Sequence, residues 1–221
     1  MGCSDFGPEI SGEILELDEK EYGLWCRIPF SNSEDNEEQV LTAIKSIHQM
    51  GRPVCLEITG AVTVLMEAMG SLEMIRCYRK QEKDFWIKLN QIVNDLVLYA
   101  QKALELGVEM ISYGDPSGNL KIMGPDFFHK VTGVVTRKFY EQVKEIHQGC
   151  VFHLCPQLTA ALMQDHQIIL AENREKNATY GESLLELLKE GSQIWLTGNR
   201  CIKQEESIVS SIPIYQWSSC N

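Results

Sequence analysis

Short β-forming runs alternate with longer helical ones along this chain, and that alternation limits its fold more than any other feature. Val54-Cys-Leu-Glu-Ile58, Val108-Glu-Met-Ile-Ser-Tyr113, Cys150-Val-Phe-His-Leu-Cys155, Gln167-Ile-Ile-Leu-Ala171 and residues 192–197 are of strand length; Thr59-Gly60 closes the first, and Gly, Pro or an acidic residue follows each of the others. Between them, apolar residues recur three and four apart. The longest such stripe is Phe85, Leu89, Ile92, Leu96, Tyr99, Ala103 and Leu106, in a helix from about Asp84 that Gly107 stops. Further helices are expected at 61–69, 72–80, 125–147, 158–163 and 182–189. A first helix should begin after the cap Ser33 and bury Val40, Ile44 and Ile47. Parallel strands need a crossover, usually a helix, so the pattern implies an α/β fold with a parallel sheet wrapped by helices. One domain over 1–221 is expected, with 1–12 a frayed leader, short strands at 13–17 and 22–28, and a last strand at 212–217.

The run that ends at Pro156 carries the chemistry. In a strand, residues two apart point to the same face, so the His153 imidazole and the Cys155 thiol project side by side. Pro156 cannot donate to a ladder, so the pair sits at the strand's C-terminal end, where parallel α/β folds place their reacting groups. Imidazole and thiolate suit zinc, which needs at least one further ligand. Cys201 is the candidate, after the apolar run Ile194-Trp-Leu-Thr197; Cys220, next to the end of the chain, is the rival. A His and a Cys two apart also arise by coincidence among eight cysteines, since free Cys is a common core residue.

Composition narrows the partners. Lys plus Arg is 20 against 31 Asp plus Glu, a net charge of −11, with no basic patch. Nucleic acid and anionic membrane are therefore excluded as partners. No apolar run approaches the roughly 18 residues of a membrane span, and the opening Met1-Gly-Cys-Ser-Asp-Phe6 lacks a signal-peptide core. Phe6 also stands where a myristoylation site wants Ser or Thr. A cytoplasmic protein is expected, whose cysteines are thiols or ligands rather than disulfides.

Four stretches carry a family likeness: Glu57-Ile-Thr-Gly-Ala-Val-Thr-Val-Leu65, Leu106-Gly-Val-Glu-Met-Ile-Ser-Tyr-Gly-Asp-Pro116, Gly124-Pro-Asp-Phe-Phe128 and His153-Leu-Cys155. In this order the chain resembles the uroporphyrinogen decarboxylase superfamily, and within it the methylcobalamin:coenzyme M methyltransferase-like branch. The Arg-rich N-terminal motif of the decarboxylase branch is absent from this sequence. The resemblance implies a TIM-barrel-like (β/α) fold, trimmed or incomplete because the chain is shorter than the family by about one strand–helix unit before Cys201. It implies Zn2+ held by His153, Cys155 and Cys201, a methylcorrinoid (methylcobalamin-like) donor on a partner corrinoid protein, and a small-molecule thiol or other methyl acceptor. A homodimer would complete an open barrel.

The remaining candidates are carboxylates. Glu172, ending the 167–171 strand, is expected on the same rim as a displaceable fourth ligand or a solvated side chain. Asp115, before Pro116, either orients a ligand or substrate or shapes the loop as an Asx-turn. Glu57 needs a partner if its strand is buried. His48, His129, His147 and His166 read as surface residues, and Cys55 and Cys77 as core; Cys150, odd-spaced from His153, should point elsewhere. Two other readings stay open: a decarboxylase-like enzyme acting on a tetrapyrrole, and a non-catalytic barrel that binds a corrinoid protein and holds a structural zinc.

Overall fold

The computed structural model describes residues 26–29, 34–147, 149–191 and 193–219. The expectations for residues 1–25, for the Ser33 cap and for Cys220 fall outside these. Of the 22–28 strand, Cys26–Pro29 is described, as β1. Then follow α1 (Glu34–Gln49), β2 (Val54–Thr59), α2 (Ala61–Met69), α3 (Ser71–Lys80), α4 (Glu82–Glu105) and β3 (Met110–Gly114). Next come α5 (Leu120–Met123), α6 (Pro125–Phe127), a π-turn over Phe128–Thr132, α7 (Gly133–Ile146), β4 (Val151–Leu154) and α8 (Pro156–Gln164). The chain continues through β5 (Ile168–Thr179), α9 (Tyr180–Lys189), β6 (Trp195–Thr197), a 3-10 turn at Ile202–Gln204 and β7 (Ile208–Trp217).

Five strands form one sheet in the order β1-β2-β3-β4-β6, every neighbouring pair parallel. The expected α/β architecture is present, and among the described residues the sheet does not close into a barrel. Its strands are apolar on alternate residues toward two different cores. Leu56, Ile58, Ile111, Tyr113, Phe152, Leu154 and Leu196 pack beneath the helical layer, together with Phe85, Leu89, Phe128 and Phe139. Tyr113 stacks on Phe139 at 5.0 Å between centroids. Toward the other face point Cys55, Met110, Val151 and Trp195, covered by Tyr180, Leu184 and Leu187 of α9 and by Val209, Ile212 and Ile214 of β7. That second face would line the interior of a closed barrel. Here α9 and the β5–β7 ribbon fill the place.

The run 167–171 was expected in the parallel sheet, and this needs correction. It opens β5, which pairs antiparallel with β7 in a separate two-stranded ribbon. A strand inside a parallel sheet is covered on both faces and must be apolar on both. Only Ile168 of β5 is buried, and Glu172 to Lys176 cannot be accommodated between two cores. Those charges reach α9 instead: Arg174 Nη1 lies 2.7 Å from both carboxylate oxygens of Glu190, and Lys176 pairs with Glu186. The guanidinium of Arg174 also covers the Trp195 ring at 4.2 Å. β5 therefore runs on to Thr179, whose hydroxyl starts α9 in a capping box with Glu182.

If the second face is a true core, Leu184→Ala should lower the unfolding free energy by about 2–5 kcal/mol, the cost of a buried Leu, as should Leu89→Ala under the helical layer. Urea denaturation measures both. A Leu184→Ala loss below about 1 kcal/mol would show that the face is not closed.

Candidate functional site

Parallel register carries the site across the sheet in rows. Cys55, Met110, Val151 and Trp195 are successive partners on the second face. Two residues further along each strand, the partners on that face are Glu57, Ser112, His153 and Thr197. An apolar row thus lies beneath a polar one, near the C-terminal ends of the strands. Beyond the polar row, the Cys155 N–H donates to the Tyr113 carbonyl at 2.8 Å, which brings Cys155 alongside Gly114. A Cβ at position 114 would stand 3.1 Å from that of Cys155, so glycine gives the thiol-bearing residue its room.

His153 is 1% exposed and both its ring nitrogens are engaged. Nε2 lies 2.9 Å from the Arg200 carbonyl and Nδ1 lies 3.0 Å from the Ser112 hydroxyl. A carbonyl only accepts, so Nε2 carries the proton in the neutral ring, and Ser112 donates to the lone pair of Nδ1. Tyr180, fully buried at the start of α9, stands edge-on to the imidazole at 6.2 Å between centroids. Burial pulls the imidazole pKa down from 6.5 to about 4, opposed by the bond to Arg200. The ring is therefore neutral at pH 7. Thr197, at the end of the row, donates to the Pro213 carbonyl at 2.8 Å and ties the ribbon to the sheet.

Cys155 and Cys201 are both partly exposed, Cys155 immediately before α8 and Cys201 immediately before the 3-10 turn. The bond from His153 to Arg200 holds the loop that bears Cys201 against β4. The structure therefore places the three predicted ligands at one end of the sheet, but not His153 and Cys155 side by side. β4 ends at Leu154, and Cys155, just beyond it, packs against the core beneath the helical layer instead of sharing the face of His153. Among the described residues, no three His, Cys, Asp or Glu side chains stand together in positions that hold a metal as placed. By donor chemistry the residues fit zinc: a neutral imidazole with one unprotonated nitrogen, its other N–H fixed on a carbonyl, and two thiols on adjoining loops. Cys55 and Cys77 are buried, as expected, and Cys150, expected to point away from the face of His153, is buried in the core beneath the helical layer.

The two carboxylates stand elsewhere. Asp115 is buried and committed to the protein. One oxygen accepts from the Val62 N–H at 3.0 Å; the other accepts from the Thr63 N–H at 2.9 Å, the Thr63 hydroxyl at 2.6 Å and the Gly118 N–H at 3.2 Å. It caps α2, whose own N-cap, Gly60, has no side chain to do so. Burial raises the Asp115 pKa and these donors pull it back. A Cβ on Gly60 would lie 2.4 Å from that of Asp115, so the glycine makes way for the cap. Glu172 is not on the rim. It is exposed on the antiparallel ribbon, 3.0 Å from Arg174 Nε, because β5 left the parallel sheet.

Ser112, Thr197, Tyr180 and the Arg200 carbonyl were not singled out from sequence. Ser112 had one legible signal, its phase: it lies two residues after Met110, on the face opposite Ile111 and Tyr113.

The uroporphyrinogen decarboxylase (URO-D) family profile matches residues 5–173 of the 221. That span includes His153 and Cys155 and stops short of Cys201. The methylcobamide:CoM methyltransferase MtbA of Methanosarcina acetivorans is 30% identical over 66 residues, 30% of this chain and 20% of the relative. The match thus spans about a fifth of the length of that curated protein. A solved methyltransferase from Methanosarcina mazei shares 23% identity with a TM-score of 0.49, over 57% of this chain and 38% of that one.

Two outcomes follow from the geometry. In the unfolded chain His153 takes up a proton near pH 6.5, and in the folded one only near 4. The folded state should therefore lose stability relative to the unfolded as pH falls between these values. His153→Gln should flatten that part of the stability–pH curve measured by urea denaturation; an unchanged slope would contradict the buried neutral ring. Asp115→Ala strands the α2 donors and should cost about 3 kcal/mol, whereas a loss within about 0.5 kcal/mol, typical of a surface site, would contradict the cap.

Proposed function

The chain belongs to the uroporphyrinogen decarboxylase family, and on that premise we propose that it is a zinc-dependent methyltransferase. It would move a methyl group from a methylated corrinoid, carried by a corrinoid protein, to a thiol or other small acceptor. One observation carries the reading: a neutral His153 near the end of β4, its proton fixed on Nε2 by the Arg200 carbonyl, with the partly exposed Cys155 and Cys201 just after β4 and β6. The partial match to a methylcobamide:CoM methyltransferase supports the same direction.

In this proposal His153, Cys155 and Cys201 hold the metal. Zinc, when bound, keeps an acceptor thiol in its nucleophilic thiolate form at neutral pH. The chain's own residues supply the frame. The His153–Arg200 bond keeps the Cys201 loop on the sheet, Gly114 leaves space at Cys155, and Asp115 fixes the loop after β3 to α2. Methyl transfer forms one bond from the acceptor to carbon and breaks one cobalt–carbon bond, whose electron pair stays on cobalt. Neither Asp115 nor Glu172 takes a catalytic part. The carboxylate of Asp115 is occupied by four donors, and Glu172 pairs with Arg174 on the ribbon.

A second reading rests on the burial of His153 beneath Tyr180. A metal there would be structural, and the protein a binding partner of a corrinoid protein without turnover.

Metal analysis of protein purified without added metal tests the proposal, with about one zinc per chain expected. Cys155→Ala and Cys201→Ala should each lose it and Cys220→Ala should keep it; loss in Cys220→Ala alone would refute the ligand set. Methyl transfer from free methylcobalamin to a panel of thiols, followed by the change in corrinoid absorbance, then separates the readings. Zinc without any demethylation would leave the structural one.

A further inference from the structure

Helix α1 distributes its charges unevenly. Glu37 and Glu38 stand in its first half, Lys45 and His48 in its second. Between α1 and α4 lies an open cleft of about 360 Å³, with Leu41 and Leu106 among its lining residues. Within it, Lys102 Nζ of α4 donates to Glu37 Oε1 at 2.7 Å, so those two charges are matched. Glu38 and Lys45 also line the cleft, are exposed, and have no partner among the described residues. Seven residues apart on one helix, they share a stripe with Leu41 and Thr42 between them, separated by about 10 Å along the axis.

Such a stripe is complementary to itself when reversed. A two-fold axis passing beside Leu41 and Thr42 sets a second α1 antiparallel to the first. Glu38 then faces Lys45 of the partner subunit, and the symmetry makes the same contact twice. The axis also brings the two Leu41 side chains together, so the contact has an apolar centre between charged ends. Two chains of net charge −11 repel at long range, and a stable contact has to join unlike charges locally.

We propose that the α1–α4 cleft is the surface through which two copies of this chain associate, α1 packing antiparallel on α1 about a two-fold axis. The dimer expected from sequence had another basis, an open barrel completed by its partner. Here α9 and the β5–β7 ribbon already cover the second face of the sheet, the one that would line such a barrel. The self-complementary stripe on α1 supplies a contact that needs no barrel to close.

Sedimentation equilibrium of the full-length protein over micromolar concentrations tests this, with a monomer–dimer equilibrium expected. Glu38→Lys sets like charges against each other at both ends of the contact. It should raise the dissociation constant roughly tenfold or more, although it makes the chain less negative and so lowers the general repulsion. Lys45→Glu should weaken the dimer in the same way. Combining Glu38→Lys with Lys45→Glu exchanges the two signs, restores both pairs and should return the dissociation constant to near the wild-type value. Both side chains are exposed, so all three variants should keep the wild-type circular dichroism. Protein that stays monomeric at every concentration overturns the proposal. So does a dimer that neither single reversal weakens, which would point to association through the sheet edges. A dimer weakened by both single reversals and not recovered in the double variant overturns the antiparallel pairing.

Discussion

Parallel register between β3, β4 and β6 is the constraint on which the rest of this structure depends. It puts Ser112 beside His153 and His153 beside Thr197, with the apolar Met110, Val151 and Trp195 one row below. None of these neighbours is close in sequence. A slip of one residue along β4 would carry His153 into the helical layer and Phe152 onto the polar row. Phe152 belongs where it is, among Tyr113, Phe139 and Tyr140, with ring centroids 5.2 to 6.2 Å away. Aromatic packing beneath the helices therefore holds the register that aligns the polar row above.

The same row explains why the second face is closed. An open five-stranded sheet would leave Val151, Met110 and Trp195 in water. Covering them with Leu184, Leu187, Ile212 and Ile214 removes that cost and buries the imidazole as well. A buried imidazole with satisfied nitrogens stays neutral, and a neutral imidazole is what a metal requires. Stability and chemistry are thus joined: the cover that completes the core also fixes the state of the site. Arg174 links the layers, bridging Glu190, which caps the C-terminus of α9, and the Trp195 ring of β6 from its place on the ribbon.

Much of this was legible in the sequence, for physical reasons. Strands and helices announce themselves by period, and β2, β3, β4, β6 and the helices α1 to α4, α8 and α9 lie close to their expected spans. The end of β4 before Pro156 was legible because proline cannot donate, but the alternation that put Cys155 on the face of His153 does not hold beyond Leu154, where the strand stops. The ribbon was not. Ile168, Ile169 and Leu170 read as another buried strand, and only the partners of Arg174 and Lys176 on α9 show why the chain leaves the sheet. The interval 125–147 also reads as one helix, yet a π-turn interrupts it where the Thr132 hydroxyl donates to the Gly118 carbonyl. Asp115 was singled out for the right loop, and the Gly118 N–H does close that loop on it, but its other donors lie more than fifty residues away on α2. Ser112 and Arg200 were out of reach for a related reason: a serine in an apolar run and a backbone carbonyl gain meaning only from register.

The central claim is that a zinc site forms where β4 and β6 end. Anomalous diffraction at the zinc edge, from crystals of protein purified without added metal, addresses it most directly. The account predicts a single strong peak within ligand distance, roughly 2.0–2.3 Å, of the His153 ring and the Cys155 and Cys201 sulfurs. A peak bound by Cys220 or by residues elsewhere, or crystals with no zinc at His153, would contradict it.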